Sequence, residues 1–366
     1  MRRFMHIKNK RSFKVIFVLL LISLIFASCR REAEPDDEMP TQSPSPAASP
    51  IASPTEEVRK EEPQEKDKDK KDEEVQKPEL PEAIAVEGNK EPSLKVYIVQ
   101  DNSVKEMPFE EYVQGVVAGE IKNDWPIEAI KAQAVIARTF VLQFIEEKGQ
   151  SKYENAHVST DIEEAQAWNA DAVNDRIRKA VEDTRGLVIT YKGEFARTWF
   201  HSNAGGKTAT PKEGLNYKEE DPPYIQVVDS PDTGEAVDED AKNWTASFPK
   251  GKIIAALQET DKKIKDFKKV SIGETGPSGR AITIKFDNTD VSAAELRLAL
   301  GTTDMRSTLI DEIVLEGDNV VMKGRGYGHG VGMSQWGAYN MANEGKSAED
   351  IIRYYFKDVD LVTMWE

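Results

Sequence analysis

The sequence predicts an α+β fold in two lobes, preceded by a polar linker. Three observations predict it. Helical and strand-like apolar patterns mix without the regular βαβ alternation of a parallel sheet. The first ninety-odd residues contain a long stretch almost free of aromatics, too polar to bury a core. No internal repeat is present.

Charge and cysteine content narrow the function. The 366 residues hold 65 acidic against 49 basic side chains, a formal net charge of −16. No basic stripe crosses the folded region, so nucleic acid is excluded as a partner, because phosphate backbones reward clustered Lys and Arg. Cys29 is the single cysteine, so neither an intrachain disulfide nor a cysteine-based zinc cage can form.

The amino terminus reads as an export signal over residues 1–29. Arg2, Arg3, Lys8, Lys10, Arg11 and Lys14 form a basic start, and an apolar run follows from Val15 to Ala27. That run is shorter than the roughly 20 residues a spanning helix needs. Phe26-Ala27-Ser28-Cys29 resembles the lipobox of bacterial lipoproteins, with Phe26 where Leu is usual. Either Cys29 is lipidated or the segment is an uncleaved anchor; both place the protein on the outer face of the membrane. Residues 30–92 are rich in Pro, Ser, Ala, Glu and Lys and are expected to be a disordered, extended tether.

The folded part is expected from residue 93 to residue 366. Leu94–Gln100 alternates as a strand. A helix starts at Met107-Pro108, with Phe109, Tyr112, Val113, Val116 and Val117 on one stripe. A second helix is capped by Asn123 or Asp124, carries Pro126 in its first turn and ends before Gly149. Asp171–Thr184 reads as an amphipathic helix. Leu187–Tyr191 and Glu194–His201 read as a hairpin turned by Lys192-Gly193, and Ser202–Gly214 as a loop. Further on, Ile253–Leu257 and Ala293–Leu300 are helical, while Lys269–Ile272, Ala281–Phe286 and Val320–Lys323 are strands. Gln335–Asn343 and Ala348–Phe356 are helices, the second capped by Ser347 with Asp350 three residues on. Residues 240–305 are read as an inserted lobe.

Glu120 is the first candidate for chemistry. It falls three, four and seven residues after Val117, Val116 and Val113, on the apolar stripe of its helix. Loss of solvation there would raise its pKa, as a general acid near neutrality requires. The alternative is a helix-end Glu turned to water. His329 and Tyr327 lie in Lys323-Gly-Arg-Gly-Tyr-Gly-His-Gly-Val-Gly-Met333, where alternate glycines allow positive φ and close approach to a ligand or a tight turn. Ser334 and Gln335 follow at a helix start. No GK[ST] accompanies this run, which argues against a nucleotide site. Ser202, Gly205 and Gly206 form a second glycine loop after Phe200-His201. Adjacent His201 and Ser202 on a strand face opposite ways, so they do not make a nucleophile–base pair. His157, His201 and His329 are scattered without metal-ligand spacing, and neither a metal nor any other cofactor is expected.

Three blocks carry a family resemblance. They are Met107-Pro-Phe-Glu-Glu-Tyr-Val113 through Glu120 to Lys131 and Arg138-Thr139; Phe200-His-Ser202 with Gly205-Gly206-Lys-Thr208; and Gly326-Tyr-Gly-His-Gly-Val-Gly-Met-Ser-Gln335-Trp-Gly-Ala338. In these the chain resembles the stage II sporulation protein D and LytB amidase-enhancer family, from about Leu94 to the carboxyl terminus. The resemblance implies a two-lobed domain with a substrate groove between the lobes. It implies a lytic transglycosylase that cleaves the β-1,4 bond after N-acetylmuramic acid in peptidoglycan and leaves 1,6-anhydro ends, with Glu120 as its single catalytic acid. Lys131, Arg138, Ser202, Gly205, Gly206, Tyr327, His329, Ser334 and Gln335 are the implied substrate contacts. Some family members hold zinc through a His and two Cys in the segment that here reads His157 to Trp168; Ala165 stands where one Cys would be. The implied partners are stem-peptide-free glycan strands and a cell-wall amidase. The alternative within the family is a non-catalytic enhancer of that amidase; a purely structural envelope lipoprotein is a third reading.

Overall fold

The computed structural model describes residues 76–260 and 262–366. The segment read as an export signal, Cys29 and most of the segment expected to be a tether therefore lie outside the described residues. No helix among the described residues is long and apolar enough to cross a membrane.

The fold is mixed α and β with several small sheets. A hairpin, β1 (Ser93–Ile98) and β2 (Ser103–Pro108), leads into α1 (Phe109–Glu120), and α2 (Ile127–Lys148) follows. Phe109, Tyr112, Val113, Val116 and Val117 are fully buried, as their spacing requires. Met107 and Pro108 belong to β2, so the helix starts later than its sequence suggested. Pro126 itself is the N-cap of α2; neither Asn123 nor Asp124 caps it, and the Asn123 amide instead donates to Ala172 O. Gly149 ends α2 at φ 73°, a conformation that favours glycine.

Short β3 (Val158–Ser159) joins β1 in parallel, and α3 (Asp175–Asp183) is capped by Asn174. β4 (Leu187–Tyr191) pairs with β5 (Glu194–Phe195). The expected single strand from Glu194 to His201 is two: the chain leaves that sheet, and β6 (Phe200–His201) belongs to another. The expected loop up to Gly214 contains α4 (Pro211–Leu215), because Thr210 and Glu213 form a reciprocal capping box.

The chain then enters α5 (Glu239–Lys242), β7 (Asn243–Pro249), α6 (Lys250–Glu259), β8 (Val270–Ile272), β9 (Thr283–Phe286), β10 (Thr289–Ser292), α7 (Ala293–Leu300), β11 (Ile310–Glu316) and β12 (Asn319–Arg325). These build two antiparallel sheets, β10-β9-β8 and β11-β12-β7. β13 (Met333–Ser334) pairs in parallel with β6, α8 (Gln335–Asn343) and α9 (Ala348–Tyr355) follow, and β14 (Asp360–Thr363) closes onto β4. The Ser347–Asp350 capping box is present.

Two separate apolar clusters are buried. One gathers residues from Ile84 to Ala241 and from Val331 to Trp365; the other gathers Trp244 to Met322. The second cluster thus runs past residue 305, because β11 and β12 supply part of it. Residues before 92 also pack on the folded part. Ile84 is 4% exposed within the first cluster, and the Glu91 carboxylate accepts from Glu110 N–H at 2.7 Å.

Candidate active site

Glu120 ends α1 half-buried, at the wall of a cavity of about 480 Å³. Its Oε1 accepts the Ala167 N–H at 2.6 Å. Burial pushes the carboxyl up to about 7, and the Ala167 bond opposes that rise. The segment reaching Glu120 lies unusually close to the helix. A Cβ at Gly119 would stand 2.7 Å from the Ala167 carbonyl carbon, and one at Gly115 would enter the Trp168 indole. Asn169 N–H donates to Gly115 O at 2.9 Å. Glu164 pins the same segment by accepting from Ser151 Oγ at 2.7 Å, Lys152 N–H at 2.5 Å and Ser159 Oγ. No cluster of three His, Cys, Asp or Glu side chains suited to a metal occurs among the described residues.

Further lining comes from β6 and the glycine run between β12 and β13. Gly326, Gly328, Gly330 and Gly332 all have positive φ. A Cβ on Gly328 would lie 2.7 Å from His201 Cβ, so glycine here serves both dihedral and contact. His201 Nδ1–H donates to Val331 O at 3.1 Å, which leaves Nε2 as a buried acceptor without a partner among the described residues. His329 Nδ1 accepts from Val331 N–H at 3.0 Å. Burial holds His201 well below the usual imidazole range and pushes His329 down to about 3, with Arg280 and Arg297 adding to the fall in both. Both rings are neutral near pH 7 and act as hydrogen-bonding groups rather than charges.

The structure brings Glu120, Ser202, Tyr327, His329 and Gln335 to this one cavity. Gln335 Nε2 donates to Glu120 O at 2.9 Å and so ties α8 to the end of α1. Gln166, 2% exposed, lines the cavity with both amide atoms unpartnered among the described residues.

Five expected contacts do not line the cavity. Arg138 is fully buried, and its guanidinium forks the Glu110 carboxylate, with Nη2–Oε2 at 2.7 Å and Nε–Oε1 at 2.9 Å. Lys131 is held by Glu128 at 3.0 Å and Asp183 at 3.1 Å. Ser334, Gly205 and Gly206 serve the fold. Ser334 Oγ donates to the buried Asp232 carboxylate at 2.6 Å and caps α8. The same carboxylate accepts from the Ala204 and Gly206 amides at 2.6 and 2.8 Å, while Gly205 N–H goes to Asn203 Oδ1 at 2.7 Å. Polar and glycine-rich sequence looked like ligand chemistry in each case; the neighbours that consume it come from distant segments.

Sequence reasoning missed Phe140, Ile162, Trp199 and Arg297, which also line the cavity. Arg297 had a signal: Ala293, Leu296, Arg297 and Leu300 are spaced as one buried helical stripe, the same argument that singled out Glu120.

Comparison with known proteins finds matches along most of the described chain. A family model described as Stage II sporulation protein matches residues 99–191, and a domain of unknown function (DUF8618) matches residues 216–332. Stage II sporulation protein D of Bacillus subtilis is 30% identical over 282 residues, covering 74% of this chain and 78% of that protein. An uncharacterized protein of Brachyspira hyodysenteriae is 31% identical over 261 residues, covering 71% and 68%. The amidase enhancer of Bacillus subtilis is 26% identical over 300 residues; the match covers 69% of this chain and 40% of that protein.

Proposed function

Because this chain belongs to the stage II sporulation protein D family, we propose that it is a cell-wall enzyme, a lytic transglycosylase that cuts peptidoglycan glycan strands. One observation carries the reading: Glu120, with its pKa near 7, is the sole carboxyl group among the described residues lining the cavity. Most glycosidases need two carboxyl groups flanking the bond, one of them to activate water or attack the sugar. A transglycosylase can work with one. Glu120 protonates the glycosidic oxygen between N-acetylmuramic acid and N-acetylglucosamine, and the C1–O bond breaks. The resulting carboxylate takes the proton of the muramic C6 hydroxyl, whose oxygen bonds to C1. The 1,6-anhydro end forms, and Glu120 regains its proton.

In this reading residues 93–366 are the catalytic domain, and the glycan lies in a groove between two lobes, one around each apolar cluster. Neutral His201 and His329, with Ser202, Tyr327, Gln166 and Gln335, offer hydrogen bonds to hydroxyl and acetamido groups. An amino-terminal anchor, lipidated at Cys29 or uncleaved, would hold the enzyme at the outer face of the membrane for sporulation or wall remodelling. Likeness to an amidase enhancer supports a second reading, in which the cavity binds stem-peptide-free glycan and promotes a partner amidase without cutting.

The test is digestion of intact and amidase-treated peptidoglycan, with products read by mass spectrometry. Anhydro-muramic ends from the wild type, absent with Glu120→Gln and Glu120→Ala, are expected. Reducing ends would replace this mechanism with hydrolysis. Glycan binding without cleavage would leave the enhancer reading.

A further inference from the structure

We infer that Arg297 is the specificity residue of the cavity, and that its guanidinium holds a carboxylate carried by the ligand. This rests on the reading that glycan occupies the cavity.

Arg297 comes from α7, whose other buried side chains Ala293, Leu296 and Leu300 belong to the second apolar cluster. It is 8% exposed, and its Nε–H donates to Arg306 O at 3.0 Å. Among the described residues, neither terminal nitrogen meets a protein acceptor, and no carboxylate lies within ion-pair distance. Arg297 lines the same cavity as Glu120, Tyr327 and His329, and its terminal nitrogens carry four N–H donors.

The other deeply buried arginines are used differently. Arg138 is spent on Glu110. Arg280 gives Nη1 to Lys207 O at 2.8 Å and Nη2 to Ala204 O at 2.7 Å. The lack of a counter-ion at Arg297 is not for want of acids in a chain with 65 of them. A buried cation left unpaired is costly to the fold. It is retained at low cost where a ligand supplies the anion, and a planar fork selects a carboxylate above a neutral amide.

The remaining titratable groups of the cavity define the rest of the ligand. His201 and His329 are neutral, Tyr327 is a phenol, and Glu120 is the acid. Together they fit a hydroxyl-rich body with one anionic arm. On a glycan strand that arm is the free lactyl carboxylate of a muramic residue. Once that carboxyl is bonded to a peptide it is a neutral amide, and Arg297 has nothing to pair with.

The test uses peptide-free oligosaccharides of alternating N-acetylglucosamine and N-acetylmuramic acid, and the same oligosaccharides with every carboxyl converted to a methylamide. Binding to the full-length chain is measured by calorimetry in a Glu120→Gln background, so that nothing is consumed. The unmodified Arg297 protein should prefer the carboxylate form by about tenfold or more. Arg297→Gln should bind both forms alike, at the level of the methylamide. Arg297→Lys, which keeps the charge and loses the fork, should retain part of the preference and serves if Arg297→Gln fails to fold. Equal binding of both forms by the Arg297 protein, or a preference that survives Arg297→Gln, overturns the assignment and leaves the glycan reading standing. Binding of neither form overturns the glycan reading, and this inference with it.

Discussion

Ala167 N–H donates to Glu120 Oε1 across 2.6 Å, and this bond opposes the upward push of burial on the carboxyl. The balance leaves the group near half-protonated at pH 7. That is the condition under which one residue can serve as acid and then as base.

Under the proposed mechanism, cleavage should fall as pH rises through about 7, where Glu120 loses its proton. A pH–rate profile on amidase-treated peptidoglycan checks this. An alkaline limb near 4.5, the unperturbed value, would refute it. Glu120→Gln should lower the rate by roughly 10²-fold or more.

The same pKa has a consequence for stability. A carboxyl raised on folding contributes stability that is fully present below its unfolded value of 4.5 and is lost as pH rises through about 7. Glu120→Gln removes the buried charge. It should raise the melting temperature at pH 8 relative to wild type and change it little at pH 4. The gain at pH 8 is up to roughly 3 kcal/mol. Equal effects at both pH values would contradict the buried-charge account.

Gly119→Ala would place a methyl 2.7 Å from the Ala167 carbonyl carbon and force the segment off the helix. The Ala167 bond would lengthen or break. The alkaline limb should move to higher pH while the maximal rate drops. A rate loss with an unmoved limb would show that the bond does not set the pKa.

Arg138→Ala should destabilise the fold by about 3–5 kcal/mol, since it strands a buried carboxylate. The abandoned Glu110 would keep only its bonds from Gly186 N–H at 3.0 Å and Trp365 Nε1–H at 2.9 Å. Chemical denaturation measures the loss. Glycan affinity of the remaining folded protein should be unchanged, which a direct substrate contact would not allow.

Asp232→Ala should loosen the Ala204–Gly206 loop and the start of α8 together, because one carboxylate holds both. Hydrogen exchange should rise at the Ala204 and Gly206 amides and at Gly337 N–H, which Ser334 Oγ caps at 3.2 Å. Protection unchanged at Gly337 would separate the two segments.

Local order was legible where spacing alone decides it. The stripe of α1 marked both its buried face and Glu120, and Ser347 with Asp350 marked the start of α9. The same periodicity would have marked Arg297. Turns and edges were less legible: β6 hid inside an apparent hairpin strand, because its partner β13 lies more than a hundred residues away.

By itself the sequence determined which residues are apolar on one face, where α9 is capped, and that a carboxyl at position 120 falls on the apolar stripe of α1. These are consequences of 3.6-residue and two-residue periods, which act over a few neighbours. Tertiary structure alone decided which polar groups are spent and which are left over. Arg138 meets Glu110 across 28 positions, Ser334 meets Asp232 across 102, and Arg297 meets no acid or carbonyl acceptor at its terminal nitrogens among the described residues. A hydrogen bond is a contact of about 3 Å between groups whose separation along the chain is arbitrary, so no local pattern announces it.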